Sequence, residues 1–280
     1  MKNKKVAIIG VGFMGGSLAL ALREKFPNFI IWGYARNKSA YDRIKKAGVV
    51  HKVERDLKKS VQDADFVVFA LPVRGIVEYF KKISSFVKKG AIIFDLGSSK
   101  EEIDRAALKY IPKTVHFVGC HPLCGGEKGG VEFCVKGLYR DASCIITASP
   151  RTAATKIVVK LWQQLGGKVI FLSSKLHDKI LSSVSHLPHL ISFSMTDFIS
   201  KEYLKFSSRS LKDLTRISDS PAPVWTDILL SNKENLLRDL EGFIKILKKF
   251  DAAMKKGDRR KIGDLIIRAN KKHQVLSNLT

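Results

Sequence analysis

Residues 5–22 read KVAIIGVGFMGGSLALAL, and this stretch decides the fold. Lys5–Gly10 is a β-branched apolar run, the signature of a buried strand. Gly10-Val11-Gly12-Phe13-Met14-Gly15 then matches G-x-G-x-x-G, and a helical stretch follows from Ser17 to Lys25. Strand, glycine turn and helix in that order form the dinucleotide-binding unit. Gly10 permits the tight turn, Gly12 lets a pyrophosphate approach the backbone, and Gly15 allows close helix–strand packing. Phe13 and Met14 are expected to join the glycines in binding the cofactor, whose phosphates would sit on the N-terminus of the following helix, where unpaired N–H groups point outward.

The same alternation continues outward from this unit. Phe29–Tyr34, Phe66–Ala70, Ala91–Asp95, Val115–Cys120, Ser143–Thr147 and Lys168–Leu172 read as strands. Helical segments lie between them: Ser39–Ala47 with Ser39 as its cap, Ile76–Phe86, Lys100–Lys109 and Arg151–Leu165. Strands alternating with helices predict a doubly wound, largely parallel sheet, which the 143–172 unit is expected to extend. After Leu172 the strand signals fade. Leu176–Ile199 is long, apolar and helical, with a kink expected at Pro188. Leu236, Leu237, Leu240, Phe243, Ile244, Leu247 and Phe250 form one apolar helix face, either intradomain core or a subunit contact. The fold class is therefore α/β, a Rossmann-type dinucleotide-binding domain over 1–173 followed by an all-α substrate and dimerisation domain over 174–280.

Cofactor choice is read at the end of the second strand. An NAD site carries Asp or Glu about 20 residues past the glycines to bond the ribose 2′-hydroxyl. Ala35 stands there instead, followed by Arg36 and Lys38. Without the carboxylate a 2′-phosphate meets no like charge, and a guanidinium can bind it in a fork. NADP is expected in preference to NAD.

Composition excludes several classes. With 50 Lys and Arg against 26 Asp and Glu, the chain carries a net charge of +24. The excess is spread along the sequence with no basic tail and no aromatic RNA-binding motif, so no nucleic acid partner is expected. A basic surface does suit small anionic substrates. No apolar run reaches the length of a membrane helix, and the basic start followed by glycines reads as a strand rather than a signal peptide. A cytoplasmic protein with reduced thiols is expected. Of the four cysteines, Cys120, Cys124, Cys134 and Cys144, only the first two are closely spaced, and His121 lies between them. A zinc site wants a second tight pair, so no metal is expected.

Several segments resemble the prephenate/arogenate dehydrogenases of tyrosine biosynthesis. They are Gly10–Leu22, Asp95-Leu96-Gly97-Ser98, HPLCGGEKG over 121–129, Leu176-His177-Asp178, VSHLPH over 184–189 and KDLTRI over 212–217. The resemblance implies oxidative decarboxylation of prephenate or arogenate with hydride transfer to a nicotinamide cofactor, in a homodimer built from helical domains. It implies His121 as the group that accepts from the substrate 4-hydroxyl, and Ser98 as the residue orienting that histidine or that hydroxyl. It also implies Arg216 and His189 as substrate-binding residues, with Glu127 and Lys128 ordering a loop over the site. His186 reads as structural, and Asp178 as a partner for a histidine or a closure of the dimer. Two segments depart from the family pattern. Ser207-Ser208-Arg209-Ser210 replaces a glycine-rich run, and Thr226 follows Trp225 where arginine is usual. Rival readings are a dehydrogenase of the β-hydroxyacid or pyrroline-carboxylate reductase type, and an NADP-binding sensor without turnover. The first would want a lysine signature on a helix of the second domain. The second would need no Ser98 and His121.

Overall fold

The computed structural model describes residues 3–126, 128–148 and 152–278. Glu127 and the expected helix start at Arg151 lie outside the described residues. Strands β1 (Lys5–Ile9), β2 (Ile30–Tyr34), β3 (Lys52–Glu54), β4 (Phe66–Phe69), β5 (Ile92–Asp95) and β6 (His116–Val118) form a parallel sheet in the order β3-β2-β1-β4-β5-β6. The reversal of strand order between β1 and β4 opens a crevice at the carboxyl edge, where such sheets take ligands.

Both faces of the sheet are covered, which explains strands that are apolar without alternation. Val6, Ile8, Phe66, Val68 and Phe94 enter one core with Leu18, Leu22 and Ile44, from helices α1 (Phe13–Lys25) and α2 (Lys38–Ala47). Ala7, Ile9, Val67, Phe69 and Ile93 enter the other. There they meet Val61 of α3 (Leu57–Val61), Ile76 and Phe80 of α4 (Val73–Ile83) and Ile103 of α5 (Glu101–Tyr110). The short pair β3 and α3 has too little apolar pattern to stand out in the sequence.

Five local expectations are corrected. Helix α1 starts at Phe13, at the glycine turn, rather than at Ser17. Asn37, not Ser39, caps α2: its side chain accepts from the Ala40 N–H at 2.9 Å. The expected strand 115–120 breaks at Gly119. A Cβ there would overlap Thr147 Oγ1, and the chain leaves the large sheet after β6 to start β7 (Cys120–Pro122). The 143–172 unit therefore does not extend the first sheet. Strand β8 (Ser143–Ile146) pairs antiparallel with β7 and parallel with β9 (Lys168–Phe171), with α6 (Ala153–Gln164) as the crossover. Finally, the helix over 174–198 is interrupted before Pro188. Helix α7 (Ser174–Leu181) passes through a π-helical turn, Ser182–His186, into α8 (Leu187–Phe198), whose first turn holds the proline.

Helices α9 (Arg209–Thr215) and α10 (Ala222–Ser231) complete the first of two compact units, Met1–Lys233. The second, Glu234–Thr280, holds nearly all of α11 (Lys233–Lys255) and α12 (Arg259–Ser277), joined through Gly257 at φ 62°. On α11, Leu236 is buried while Leu237, Ile244 and Leu247 are exposed. Among the described residues no helix is long and apolar enough to cross a membrane.

The glycine turn is tight by steric necessity. Gly10 has φ 100°, and a Cβ on Gly15 would overlap the Gly10 carbonyl oxygen, whereas one on Gly12 meets nothing within 4 Å. Gly15→Ala should therefore lower the unfolding free energy by about 1–3 kcal/mol, the usual cost of overpacking. Gly12→Ala should change it by less than about 0.5 kcal/mol, as at an uncrowded surface site. Urea denaturation of both variants checks the contrast.

Candidate active site

At the carboxyl end of β5, Asp95 is fully buried and holds three groups. It accepts from the Gly97 N–H at 2.8 Å and the Cys120 N–H at 3.2 Å, and it pairs with the buried ammonium of Lys100. Lys100 Nζ also donates to the Cys120 carbonyl at 2.8 Å. An isolated buried charge would cost several kcal/mol, so each of these two ions requires the other. Together they clamp the backbone of Cys120 and so the base of β7. Cys120 faces the apolar core, and strand alternation turns the next residue, His121, the other way.

There His121 meets α7. Its Nδ1 lies 2.8 Å from His177 Nε2, and His177 Nδ1 lies 2.7 Å from Asp178 Oδ1. Asp178 also accepts from the Lys100 and Glu101 N–H groups at 2.7 and 2.9 Å. These donors are the unsatisfied start of α5, which has no side-chain cap of its own, and the positive helix end favours a carboxylate there. Asn232 joins the cluster, donating to the Asp178 carbonyl at 2.7 Å and to His186 Nδ1 at 3.1 Å. His186 is thereby buried and hydrogen-bonded, and its ring still borders the cavity described next.

A cavity of about 590 Å³ opens in front of His121, within the range of small-molecule sites. Phe13, Met14, Ser98, His121, His189 and Arg216 all line it, so the structure brings six of the sequence-derived candidates together. His189 stacks on Trp225 with ring centroids 3.5 Å apart, and its Nδ1 donates to the Ser185 carbonyl at 2.9 Å. Among the described lining residues the charged ones are Lys128 and Arg216, both cationic. Ser98 shares the wall with His121, but the bond that sets the imidazole comes from His177. Strand β7 points the ring at α7, and Ser98 keeps the expectation that it orients the histidine or the substrate hydroxyl. The sequence reading missed Asp95, Lys100 and His177 as site-building residues. Asp95 and His177 stand inside the segments that carry the family resemblance, and Lys100 lies just beyond one.

Gly10 and Gly12 form the turn before α1, Gly15 lies in the helix's first turn, and the helix N-terminus has no side-chain cap. The open space beside Gly12 leaves room for a phosphate against the backbone, so these residues fit a dinucleotide. Arg36 and Lys38 follow β2 at the same sheet edge, outside the cavity. Lys38 begins α2 and pairs with Asp42, whereas Arg36 lies close enough to Tyr79 to oppose the rise of its phenol pKa.

Burial holds the histidines neutral. His121 lies well below the ordinary imidazole value through desolvation, and any positive charge on His177, Lys100 or His186 opposes its protonation further. Desolvation also lowers His177 against the pull of Asp178, lowers His189, and brings His186 down to about 4.

The profile described as prephenate dehydrogenase, nucleotide-binding domain, matches residues 18–171, and that described as prephenate dehydrogenase, dimerization domain, matches residues 173–266. Prephenate dehydrogenase of Lactococcus lactis is 33% identical, covering 98% of this chain and 77% of that protein. Cyclohexadienyl dehydrogenase of Zymomonas mobilis is 30% identical, covering 97% and 94%. Among solved structures, prephenate dehydrogenase from A. aeolicus in complex with hydroxyphenyl propionate and NAD+ superposes with a TM-score of 0.87. It is 32% identical, and the match covers 98% of this chain and 99% of that one.

The neutral histidines set a pH dependence of stability. Between about pH 6.5 and 4 the unfolded chain binds protons that the folded His186 refuses, and His121 and His177 act in the same direction. Stability therefore falls on acidification, by about 1.4 kcal/mol per pH unit for each group in this state. Asp104, raised to about 6 by burial, opposes this between about pH 4 and 6, one group against several. Urea midpoints should drop steadily from pH 7 to 4.5; a flat profile would mean that the imidazoles take up protons in the folded state.

Proposed function

This chain belongs to the prephenate dehydrogenase family, and on that premise we propose that it oxidatively decarboxylates prephenate, with hydride transfer to a nicotinamide dinucleotide, giving 4-hydroxyphenylpyruvate. Arogenate, giving tyrosine, is the companion substrate to be tested beside it. The observation that carries the reading is a buried neutral imidazole, His121, in one cavity wall with Arg216 and Lys128 as the charged residues beside it. The substrate carries two carboxylates and a ring alcohol, and these side chains match both features.

When bound, the nicotinamide supplies an acceptor for the hydrogen that C4 of the ring loses with its bonding pair. His121 Nε2 takes the proton of the 4-hydroxyl, and the oxygen electrons form the C4 carbonyl. The bond from C1 to the ring carboxylate then breaks and carbon dioxide leaves. Its bonding pair completes the aromatic ring, and the imidazolium returns its proton to the phenolate oxygen. Arg216 holds a carboxylate in a guanidinium fork, and His189, flat against Trp225, borders the ring. Ser98 reaches the 4-hydroxyl side of the cavity.

We assign the cofactor to residues 1–173 and the substrate-binding and dimerisation roles to 174–280. The division rests on Arg216, His189 and Trp225 entering the cavity from the helical part. The apolar face of α11, with Leu237, Ile244 and Leu247 exposed, supports a homodimer. NADP is the preferred cofactor, because Ala35 replaces a carboxylate and Arg36 follows it.

Two experiments test these readings. Reduced-nicotinamide formation should be measured with prephenate and arogenate, each with NAD and NADP. His121→Asn should lower kcat by ~10²–10⁴-fold, the range for a lost acid–base group, while Arg216→Ala should mainly raise KM. Unchanged turnover in His121→Asn removes the mechanism. Separately, Ala35→Asp combined with Arg36→Gln should shift preference from NADP toward NAD. No shift would place the 2′-phosphate contact elsewhere.

A further inference from the structure

We propose that His177 and Asp178 are positioning residues for His121, imposing its Nδ1–H tautomer so that Nε2 presents a lone pair to the cavity. The inference rests on the acid–base role given to His121 above, and the argument runs through donor and acceptor parity. Asp178 accepts from two backbone N–H groups at the start of α5, so its carboxylate is held as an acceptor. His177 Nδ1, at 2.7 Å from it, must therefore carry a proton. A neutral His177 then has a bare Nε2, and the 2.8 Å contact requires the proton between the rings to sit on His121 Nδ1. Nε2 is left without a proton, the form that can take one from a ring alcohol.

Besides a doubly protonated His121, the way around this parity is a doubly protonated His177. It would have to form in a buried place, with both its ring and the Asp178 side chain almost wholly out of water. The charged groups around it are Asp178 on α7, Lys100 at the start of α5 and Asp95 at the end of β5. Those facing His121 are His177, Lys100 and His186 of the π-helical turn. Asp95 is already paired with Lys100, and the nearby ammonium opposes a further positive charge on either imidazole. A purely structural role would not need this order of groups. Apolar side chains would fill the space at less desolvation cost, and Asn could cap α5.

The test reads the tautomer directly as well as the rate. Ring ¹⁵N spectra of the full-length, cofactor-free protein labelled at histidine, assigned with His121→Asn, should show His121 protonated at Nδ1 and bare at Nε2. Asp178→Asn can donate to His177 Nδ1, which reverses both rings. His121 should then appear as the Nε2–H form, and kcat with prephenate should fall ~10²–10⁴-fold with KM changed by less than about threefold, as for a wrong tautomer beside an acid–base group. His177→Leu should lose ~10²-fold in kcat or more. His177→Gln, whose amide can accept from His121 and donate to Asp178, should recover about tenfold of that loss. An unchanged tautomer in Asp178→Asn overturns the proposal, and so do equal rates for His177→Leu and His177→Gln, which would make His177 a packing residue. If His177→Leu does not fold, the Asp178→Asn spectrum decides. An inactive His121→Asn beside fully active His177 and Asp178 variants sinks the relay alone, whereas an active His121→Asn sinks the functional reading itself.

Discussion

The carboxylate of Asp178 is where two parts of this molecule with different chemical tasks are tied. It sits on α7, yet its oxygens terminate α5 by taking the Lys100 and Glu101 N–H groups, and the same carboxylate holds His177. A helix start that lacks its own cap has unpaired donors and a partial positive charge, so it favours a buried carboxylate by both hydrogen bonding and electrostatics. The tie thereby makes the placement of α7 against the sheet a condition for pairing α5. Loss of that placement leaves two backbone donors and an anion unpaired at once.

Beside it stands a second buried pair, Asp95 and Lys100. One residue, Lys100, serves both: its backbone binds Asp178 and its side chain binds Asp95 and the Cys120 carbonyl. The two anions therefore grip the same residue, and the start of β7 is held with it. His121 is then located by three constraints: the clamped backbone of Cys120, the alternation of the strand, and the bond to His177. This density of polar contacts gives the ring one position in a region otherwise formed of side chains that pack without direction. Burial, which would be costly for a charged imidazole, keeps the ring neutral in the form that general-base chemistry needs.

The cavity divides its labour by chemistry. Aromatic and aliphatic walls, with Trp225 against His189, suit a six-membered carbon ring. The cations Arg216 and Lys128 line the same cavity. The departures from the family pattern, Thr226 and the 207–210 run, fall outside the residues that line the cavity.

Much of this was legible in the sequence, because it depends on short-range pattern. The glycine spacing, the alternation of apolar strands and helices, and the change to purely helical signal near Ser173 follow from backbone sterics and local periodicity. The six candidates that line the cavity were found through five separated motifs. What the tertiary structure alone decided are relations between residues far apart in the chain. Gly119 reads as mid-strand in isolation, but the closeness of Thr147 and Asp104 to its Cα breaks the strand and starts a new sheet. Pro188 reads as a kink, yet the irregular turn lies before it. Lys100 reads as an ordinary surface lysine at a helix start, and His177 as a neighbour of Asp178. Their roles arise because a buried charge or imidazole must find its partner in space, and no local pattern records where that partner will be.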